Sequence, residues 1–179
     1  MHKVLIIFFI LNLYSPVFSS VKEKIVAQMK LTNNLSFNFI QTIDNKNENG
    51  KCIIKYPKKI WCKYDNSIKK IIVSNGKSLV IKTANKGSYY LYPLSKTPLN
   101  ILLDKNYLIS KIKTLEAREI DGKYLNFKFF ENNNEINVFF DIKSLNLIGW
   151  QTEDIYQNLV ITFISSVKIN QKINNKIFV

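Results

Sequence analysis

Most of this chain alternates between apolar and polar residues with a period of two, and this pattern constrains the fold more than any other feature. The alternation begins at Leu35 and returns in segments 51–56 and 59–64, on either side of a turn at Pro57. Side chains of a β-strand point alternately to its two faces, so each run predicts a strand with one buried face. Asn75-Gly76 is a strong signal for a two-residue hairpin. The pattern predicts an antiparallel meander.

The second half of the chain continues the pattern after a short helical segment. Strands are predicted over 112–120, 124–130, 136–141, 145–152 and 158–168. A sheet of roughly ten or eleven strands is too wide to stay flat, and it tends to curl into a barrel that can hold a ligand. The sequence shows neither an internal repeat nor a linker, so we predict a single domain over residues 20–179.

The inward-facing positions of these strands are aliphatic or aromatic almost throughout. Such residues fill a closed core in most β domains, and that interpretation stands beside the ligand-holding one. The predicted inward positions are Phe37, Phe39, Ile54, Ile60, Tyr64, Leu79, Ile81, Leu125, Phe127, Phe129, Ile136, Val138, Phe140, Leu159, Ile161 and Phe163.

Two segments predict helices. Residues 20–31 place Val21, Ile25 and Met29 on one face with lysines opposite, which favours a helix lying on the barrel over one lying on a membrane. Within 90–103, Thr97 is a suitable N-cap and Pro98 a suitable first helical residue.

The helix predicted after Pro98 carries Leu99, Leu102 and Leu103 on one face. A short apolar helix between two sets of strands has two interpretations. It either plugs the end of an ordinary sandwich or forms a lid over an apolar cavity.

The N-terminal residues 1–19 have the features of a secretory signal peptide. Lys3 provides the positive charge, residues 4–13 are an almost unbroken apolar run, and Pro16 ends that run. Ser20 is the expected first mature residue; a retained anchor is the alternative. Because no Cys stands at that position, we expect no lipid anchor on the mature protein.

The cysteines Cys52 and Cys62 lie at equal distances from Pro57, on the same face of adjacent predicted strands. Export would place them in an oxidising compartment, which predicts a cross-strand disulfide. Two buried free thiols are the alternative.

The charge and the chemistry-bearing residues exclude several classes of function. The net charge of +13 comes almost entirely from dispersed lysines, with Arg118 the single arginine. This argues against nucleic-acid binding and favours contact with anionic membranes or acidic partners. His2 is the only histidine and would leave with the signal peptide. The mature chain therefore has no Ser-His-Asp or His-ligated zinc site, and we predict a non-enzyme without metal or cofactor.

The order of several short motifs resembles that of a known family, the periplasmic carriers of outer-membrane lipoproteins (LolA-like). The resemblance covers essentially the whole mature chain, and its most specific piece is the segment 92–99, YPLSKTPL. The other matching pieces are Phe39-Ile40-Gln41, Gly50, Tyr56-Pro57, Ile60-x-Cys62-x-Tyr64, the turn at 72–77, Leu147-x-x-Trp150-x-x-x-Asp154 and Ile177-Phe178.

The resemblance implies an unclosed antiparallel β-barrel with a helical lid, whose apolar interior receives the acyl chains of lipoproteins. Such a periplasmic carrier, expected to be a monomer, takes cargo from an inner-membrane ABC transporter and delivers it to an outer-membrane receptor or to the outer membrane itself. One alternative is a sensor or adaptor of the same fold that detects lipid or mislocalised lipoprotein without transporting it. Another is an enzyme that acts on exported lipid, which the missing histidine disfavours.

The candidate acyl-chain cavity and lid implied by this resemblance comprise sixteen residues. They are Phe37, Phe39, Ile54, Tyr56, Ile60, Tyr64, Leu79, Ile81, Leu99, Leu102, Leu103, Phe127, Phe129, Phe140, Ile161 and Phe163. Tyr56 stands where the family often has an arginine that acts on the lid. Its hydroxyl can form one hydrogen bond but no charged fork, so any latch there is expected to be weaker.

Overall fold

The main element of the computed structural model is one sheet of eleven antiparallel strands. Residues 20–83, 89–131, 134–154 and 157–179 are described, so the predicted signal peptide lies outside the described residues. The strands are β1 (Asn34–Ile43), β2 (Lys46–Lys55), β3 (Lys59–Tyr64), β4 (Ile71–Asn75), β5 (Ser78–Lys82), β6 (Tyr89–Pro93), β7 (Arg118–Ile120), β8 (Tyr124–Glu131), β9 (Asn134–Asp141), β10 (Leu147–Glu153) and β11 (Leu159–Ile169).

The sheet consists of two meanders joined at its centre. Its order is β6-β5-β4-β3-β2-β1-β11-β10-β9-β8-β7, so β6 and β7 are the edges and the sheet is not closed into a barrel. The central pair, β1 with β11, extends from Leu35 opposite Ile169 to Ile43 opposite Val160, with a shift of register between Ser36 and Asn38. This arrangement confirms the predicted mainly β, unclosed fold.

In the part of the chain that the structure describes, three α-helices accompany the sheet: α1 (Val21–Leu31), α2 (Leu99–Leu102) and α3 (Lys105–Thr114). Short 3-10 helices lie at Leu94–Lys96 and Asn175–Phe178. A capping box formed by Ser20 and Glu23 fixes the start of α1. Buried residues of all three α-helices join the inner face of the sheet in one apolar core. In the described residues, none of the helices has the length and apolar character needed to cross a membrane.

The helices α1 and α3 pack against each other, and a lysine at the start of each caps the end of the other. The Lys22 ammonium donates to the carbonyls of Lys113 and Leu115, at 3.3 and 3.1 Å. The Lys105 ammonium donates to those of Lys30 and Thr32, at 3.1 and 2.8 Å. Cations are stabilised beside the unpaired carbonyls at a helix C-terminus, so these bonds hold the helices as an antiparallel pair.

The strand predicted over 112–120 is wrong for most of its length. Helix α3 contains Ile112, and only Arg118–Ile120 is a strand. The carboxylate of Asp104 accepts from the backbone N–H of Tyr107 at 3.1 Å and caps the helix. Leu108 and Ile112 lie one turn apart and are both buried, so their helical spacing decides the structure.

The predicted face of β11 is also wrong. Phe163 is 58% exposed and Leu159 48% exposed, whereas Val160, Thr162 and Ile164 are buried. Apolar residues occupy both alternating sets in this strand, so its own pattern does not choose a face. Pairing with β1 does choose, because Ile164 lies opposite the buried Phe39.

The predicted inward positions on strands other than β11 lie on the inner face of the sheet. All of them are buried except Ile81, which is half-buried at the margin of the sheet. The buried members are Phe37, Phe39, Ile54, Ile60, Tyr64, Leu79, Leu125, Phe127, Phe129, Ile136, Val138 and Phe140.

Candidate ligand cavity

A cavity of about 310 Å³ lies between the inner face of β1–β6, the neighbouring ends of β10 and β11, and the segment that contains Pro98. Its volume is at the lower end of the range of about 300–1,000 Å³ found for small-molecule sites. Its walls are Phe39, Gln41, Ile43, Cys52, Ile60, Cys62, Tyr64, Lys70, Ile72, Leu79, Ile81, Tyr92, Thr97, Pro98, Leu99, Trp150, Thr152, Glu153, Asp154, Val160 and Thr162.

The aromatic wall of the cavity is held by an edge-to-face contact between Phe39 and Tyr64, with ring centroids 4.8 Å apart. Gly50 makes this possible, because a Cβ there would lie 2.9 Å from the Phe39 ring and 2.2 Å from the Lys63 carbonyl oxygen. A side chain at position 50 would therefore displace the Phe39 ring and the neighbouring strand.

Cys52 and Cys62 lie directly opposite each other on β2 and β3, with their Cα atoms 4.1 Å apart. The structure joins them in a disulfide, the pairing that the sequence predicts. Both residues line the cavity floor, so the bond ties together the two strands beneath the cavity.

Of the three leucines in the predicted lid, the segment 98–103, one lines the cavity. Leu99 is half-buried and lines the cavity, whereas Leu102 and Leu103 are buried in the core of the protein. The predicted cap is also wrong, because Pro98 and not Thr97 occupies the N-cap position of α2. The Thr97 hydroxyl instead donates to the Leu94 carbonyl at 2.9 Å, because the preceding 3-10 turn offers that acceptor.

The turn between β2 and β3 contacts the residues that follow α2. The backbone N–H of Lys58 donates to the carbonyl of Leu103 at 2.9 Å, and its ammonium lies 3.4 Å from the Asp104 carboxylate. The Lys58 carbonyl in turn accepts from the Ser74 hydroxyl at 3.0 Å. These bonds join the lid to β2, β3 and β4, and the sequence carried no signal for them.

Tyr56 lies beside α3 and does not line the main cavity. It borders a separate space of about 30 Å³, together with Met29 and Leu108 from the helix pair. The Lys105 ammonium lies 5.7 Å from the centre of the Tyr56 ring, within reach of a cation–π contact. Burial raises the pKa of the Tyr56 hydroxyl, which keeps it neutral at physiological pH.

The end of the cavity away from the lid is polar. The Tyr64 hydroxyl donates to the Gln41 side-chain oxygen at 3.0 Å, and the Gln41 amide donates to the Thr162 hydroxyl at 3.1 Å. The Lys70 ammonium lies 3.9 Å from the centre of the Tyr64 ring and is ion-paired with Glu48. Burial, together with the Glu48 charge, raises the pKa of Tyr64.

The sequence matches the family described as "Outer membrane lipoprotein carrier protein LolA" over residues 30–179. The chain belongs to this family. A comparison with curated proteins finds no match.

Several solved structures of LolA-like and other proteins resemble the chain in fold. LprF from Mycobacterium bovis is 13% identical, with 87% of this chain and 94% of that chain covered and a TM-score of 0.47. The LolA superfamily protein NE2245 from Nitrosomonas europaea is 10% identical, with 90% and 98% covered and a TM-score of 0.46. A putative outer membrane lipoprotein-sorting protein domain from Vibrio parahaemolyticus is 7% identical, with 89% and 97% covered and a TM-score of 0.48.

The structure divides the sixteen residues assigned by family resemblance into three groups. Phe39, Ile60, Tyr64, Leu79, Ile81 and Leu99 line the cavity. Tyr56 packs against the core beside the small space, and Phe37, Ile54, Leu102, Leu103, Phe127, Phe129 and Phe140 lie within the core. Ile161 and Phe163 share the opposite face of β11, because Val160, Thr162 and Ile164 point inward.

The sequence-based site omitted several residues that line the cavity, among them Gln41, Tyr92, Trp150 and Thr162. Gln41 is the next inward position after Phe39 in the alternation, so the signal for it was present. Gln41 and Trp150 also belong to the family motifs. Thr162 could not be found from β11 alone, because its inward position follows from the register with β1.

Proposed function

We propose that this chain binds the acyl chains of lipoproteins in the cavity beneath the lid and carries them from the inner to the outer membrane. Membership of the LolA family supports this function. The single observation that carries it is the cavity of about 310 Å³, with Ile60, Leu79 and Leu99 among its apolar walls.

Acyl chains suit the part of the cavity under the lid. Each buried methylene stabilises a complex by about 0.8 kcal/mol, so even partial burial of a chain gives useful affinity. The half-buried Leu99 lines the cavity and would have to move for a chain to fill that space. Displacing it offsets part of the gain, which favours release when a better acceptor is present.

The partners follow from the same proposal. An inner-membrane ABC transporter supplies the energy for loading, and the outer membrane or a receptor there accepts the cargo. A disulfide between Cys52 and Cys62 is compatible with the oxidising periplasm, where the proposed carrier works.

A two-stage transfer assay tests the carrier function. The mature protein is incubated with inner-membrane vesicles that contain the transporter, ATP and a radiolabelled lipoprotein, and the soluble complex is then mixed with outer-membrane vesicles. We expect ATP-dependent release in the first stage and incorporation of label in the second. Loading without delivery would instead support a lipid-sensing adaptor, and failure to load would contradict the proposal.

A further inference from the structure

The outer face of the sheet, opposite the cavity, sets lysines of β2 and β3 against each other. The disulfide-bonded cysteines point into the cavity, so their neighbours along both strands point outward. Lys51 lies directly opposite Lys63, and Lys55 lies directly opposite Lys59. Like charges in such positions destabilise a sheet. In the described residues none of these four lysines forms an ion pair, so nothing in the fold offsets that cost.

Two rows of outward side chains cross this face from β2 to β6, one beside the other. The first row combines lysines with apolar and aromatic residues: Lys51, Lys63, Ile71, Lys82 and Tyr89. The second row is apolar: Ile53, Trp61, Val73, Val80 and Leu91. Both rows end at the β6 edge, where Tyr89 is 67% exposed and Leu91 is 60% exposed. We call these two rows, together with Lys55 and Lys59, the basic face.

The C-terminal segment crosses the basic face and adds to its charge. The 3-10 helix Asn175–Phe178 lies against β3 and β4, and the Lys55 ammonium donates to the Asn175 side-chain oxygen. Phe178 is buried but does not belong to the core on the inner face, which places it against the outer face. The exposed Lys176 belongs to the same helix.

The basic face has little negative charge to balance its lysines. The structure describes strands β2 to β6 completely, and none of their outward positions holds an aspartate or a glutamate. Asp65, just after β3, lines a groove together with Lys51 at the margin of the face. The C-terminal carboxylate of Val179 ends the segment that crosses it. The face therefore attracts an anionic partner.

We propose that the basic face is a docking surface for an anionic lipid membrane. Its dispersed lysines present separate point charges to a layer of lipid phosphates, whereas a single anionic ligand is better held by an arginine fork. The exposed Tyr89 and Leu91 enter the boundary between head groups and acyl chains, which favours a membrane over an acidic protein.

This inference goes beyond the proposed carrier function and does not depend on it. The cavity lies on the inner face of the sheet, so docking through the outer face leaves the cavity accessible. A membrane-docked chain would therefore still be able to meet a partner protein there.

Vesicle co-sedimentation tests the docking surface. The mature protein is mixed with vesicles of phosphatidylcholine, or of phosphatidylcholine and phosphatidylglycerol at roughly 3:1, in about 50 mM salt. We expect binding to the anionic vesicles to be at least about tenfold tighter than binding to the neutral ones. The difference should disappear in about 1 M salt, which screens the lysines from the phosphates.

Charge-matched double variants locate the interaction. Lys51→Gln with Lys63→Gln should weaken binding to the anionic vesicles at least about tenfold, since each lysine near the surface contributes about fivefold. Lys113→Gln with Lys123→Gln makes the same change of charge at exposed positions on α3 and in the β7–β8 turn. This control should weaken binding by less than about threefold. The melting temperature of the first variant should equal or exceed that of the parent protein at low salt, because a repulsive pair is removed.

The outcomes that contradict the proposal are distinct from those that concern acyl binding. Equal binding to neutral and anionic vesicles, or equal weakening by the two double variants, would overturn the basic face as a membrane surface. Absence of binding to the anionic vesicles would overturn it as well and would make an acidic protein the better occupant. A lower melting temperature of the first variant would overturn the repulsive pairing of Lys51 with Lys63. Acyl binding is measured by the transfer assay and is unaffected by any of these results.

Discussion

The two leucines Leu99 and Leu102 should respond differently to truncation, although they are three residues apart. Leu102 is 5% exposed within the core, so Leu102→Ala should destabilise the fold by about 2–5 kcal/mol. For a chain of this size that lowers the melting temperature by roughly 5–15 °C. Leu99 is only half-buried and already borders a cavity, so Leu99→Ala should change stability by about 1 kcal/mol or less.

Leu99→Ala should also strengthen the binding of an acyl ligand. If Leu99 must move aside for an acyl chain, its truncation removes about 1 kcal/mol of opposing contact and should tighten binding of a fluorescent acyl ester about fivefold. Thermal melting and probe titration of the two variants measure both effects on the same samples. Equal losses of stability, or weaker probe binding by Leu99→Ala, would refute the assignment of Leu99 to the cavity and Leu102 to the core.

Three further predictions concern the disulfide, Tyr56 and Glu131. Denatured, unreduced protein should show no reactive thiol, and loss of the Cys52–Cys62 bond should lower stability by about 2–4 kcal/mol; labelling of both thiols would contradict this. Tyr56→Phe should preserve lipoprotein loading and change the rate of transfer to outer-membrane vesicles, with stability altered by about 1 kcal/mol; equal transfer rates would make Tyr56 part of the wall only. The hydrogen bond from the Tyr107 hydroxyl lowers the pKa of the Glu131 carboxyl. The stability that this bond contributes is therefore present above the unfolded pKa of about 4.3 and is lost as the pH falls through the folded pKa. Glu131→Gln should therefore flatten the fall in melting temperature at acid pH, and an unchanged slope would contradict the assignment.

The overall fold could be predicted because its signals are local and repeated. Alternation, short polar turns and the Asn75-Gly76 hairpin define neighbouring strands without information from elsewhere in the chain. Of the pair α1 and α3, only α1 was predicted from the sequence. Ser20 begins α1 with a complete capping box, whereas the strand predicted over 112–120 overlaps the end of α3.

The cavity was harder to predict because its lining depends on contacts between distant segments. Phe39 and Tyr64 could be assigned from alternation within their own strands. Thr162 points inward because β11 takes its register from β1, more than a hundred residues earlier. The division between Leu99 and Leu102 likewise depends on how α2 meets α3, because both residues have the same type and similar local surroundings.

The central pairing of β1 with β11 has a consequence for how the chain is made. Strand β1 is among the first to leave the ribosome, and the strand that covers one of its sides is the last. Until β11 arrives, the meander from β1 to β6 carries an exposed edge at what becomes the middle of the sheet, with Phe37 and Phe39 beside it. Such an unpaired apolar edge pairs readily with other chains. The last synthesised strand therefore sets the period during which the newly made chain depends on protection from aggregation.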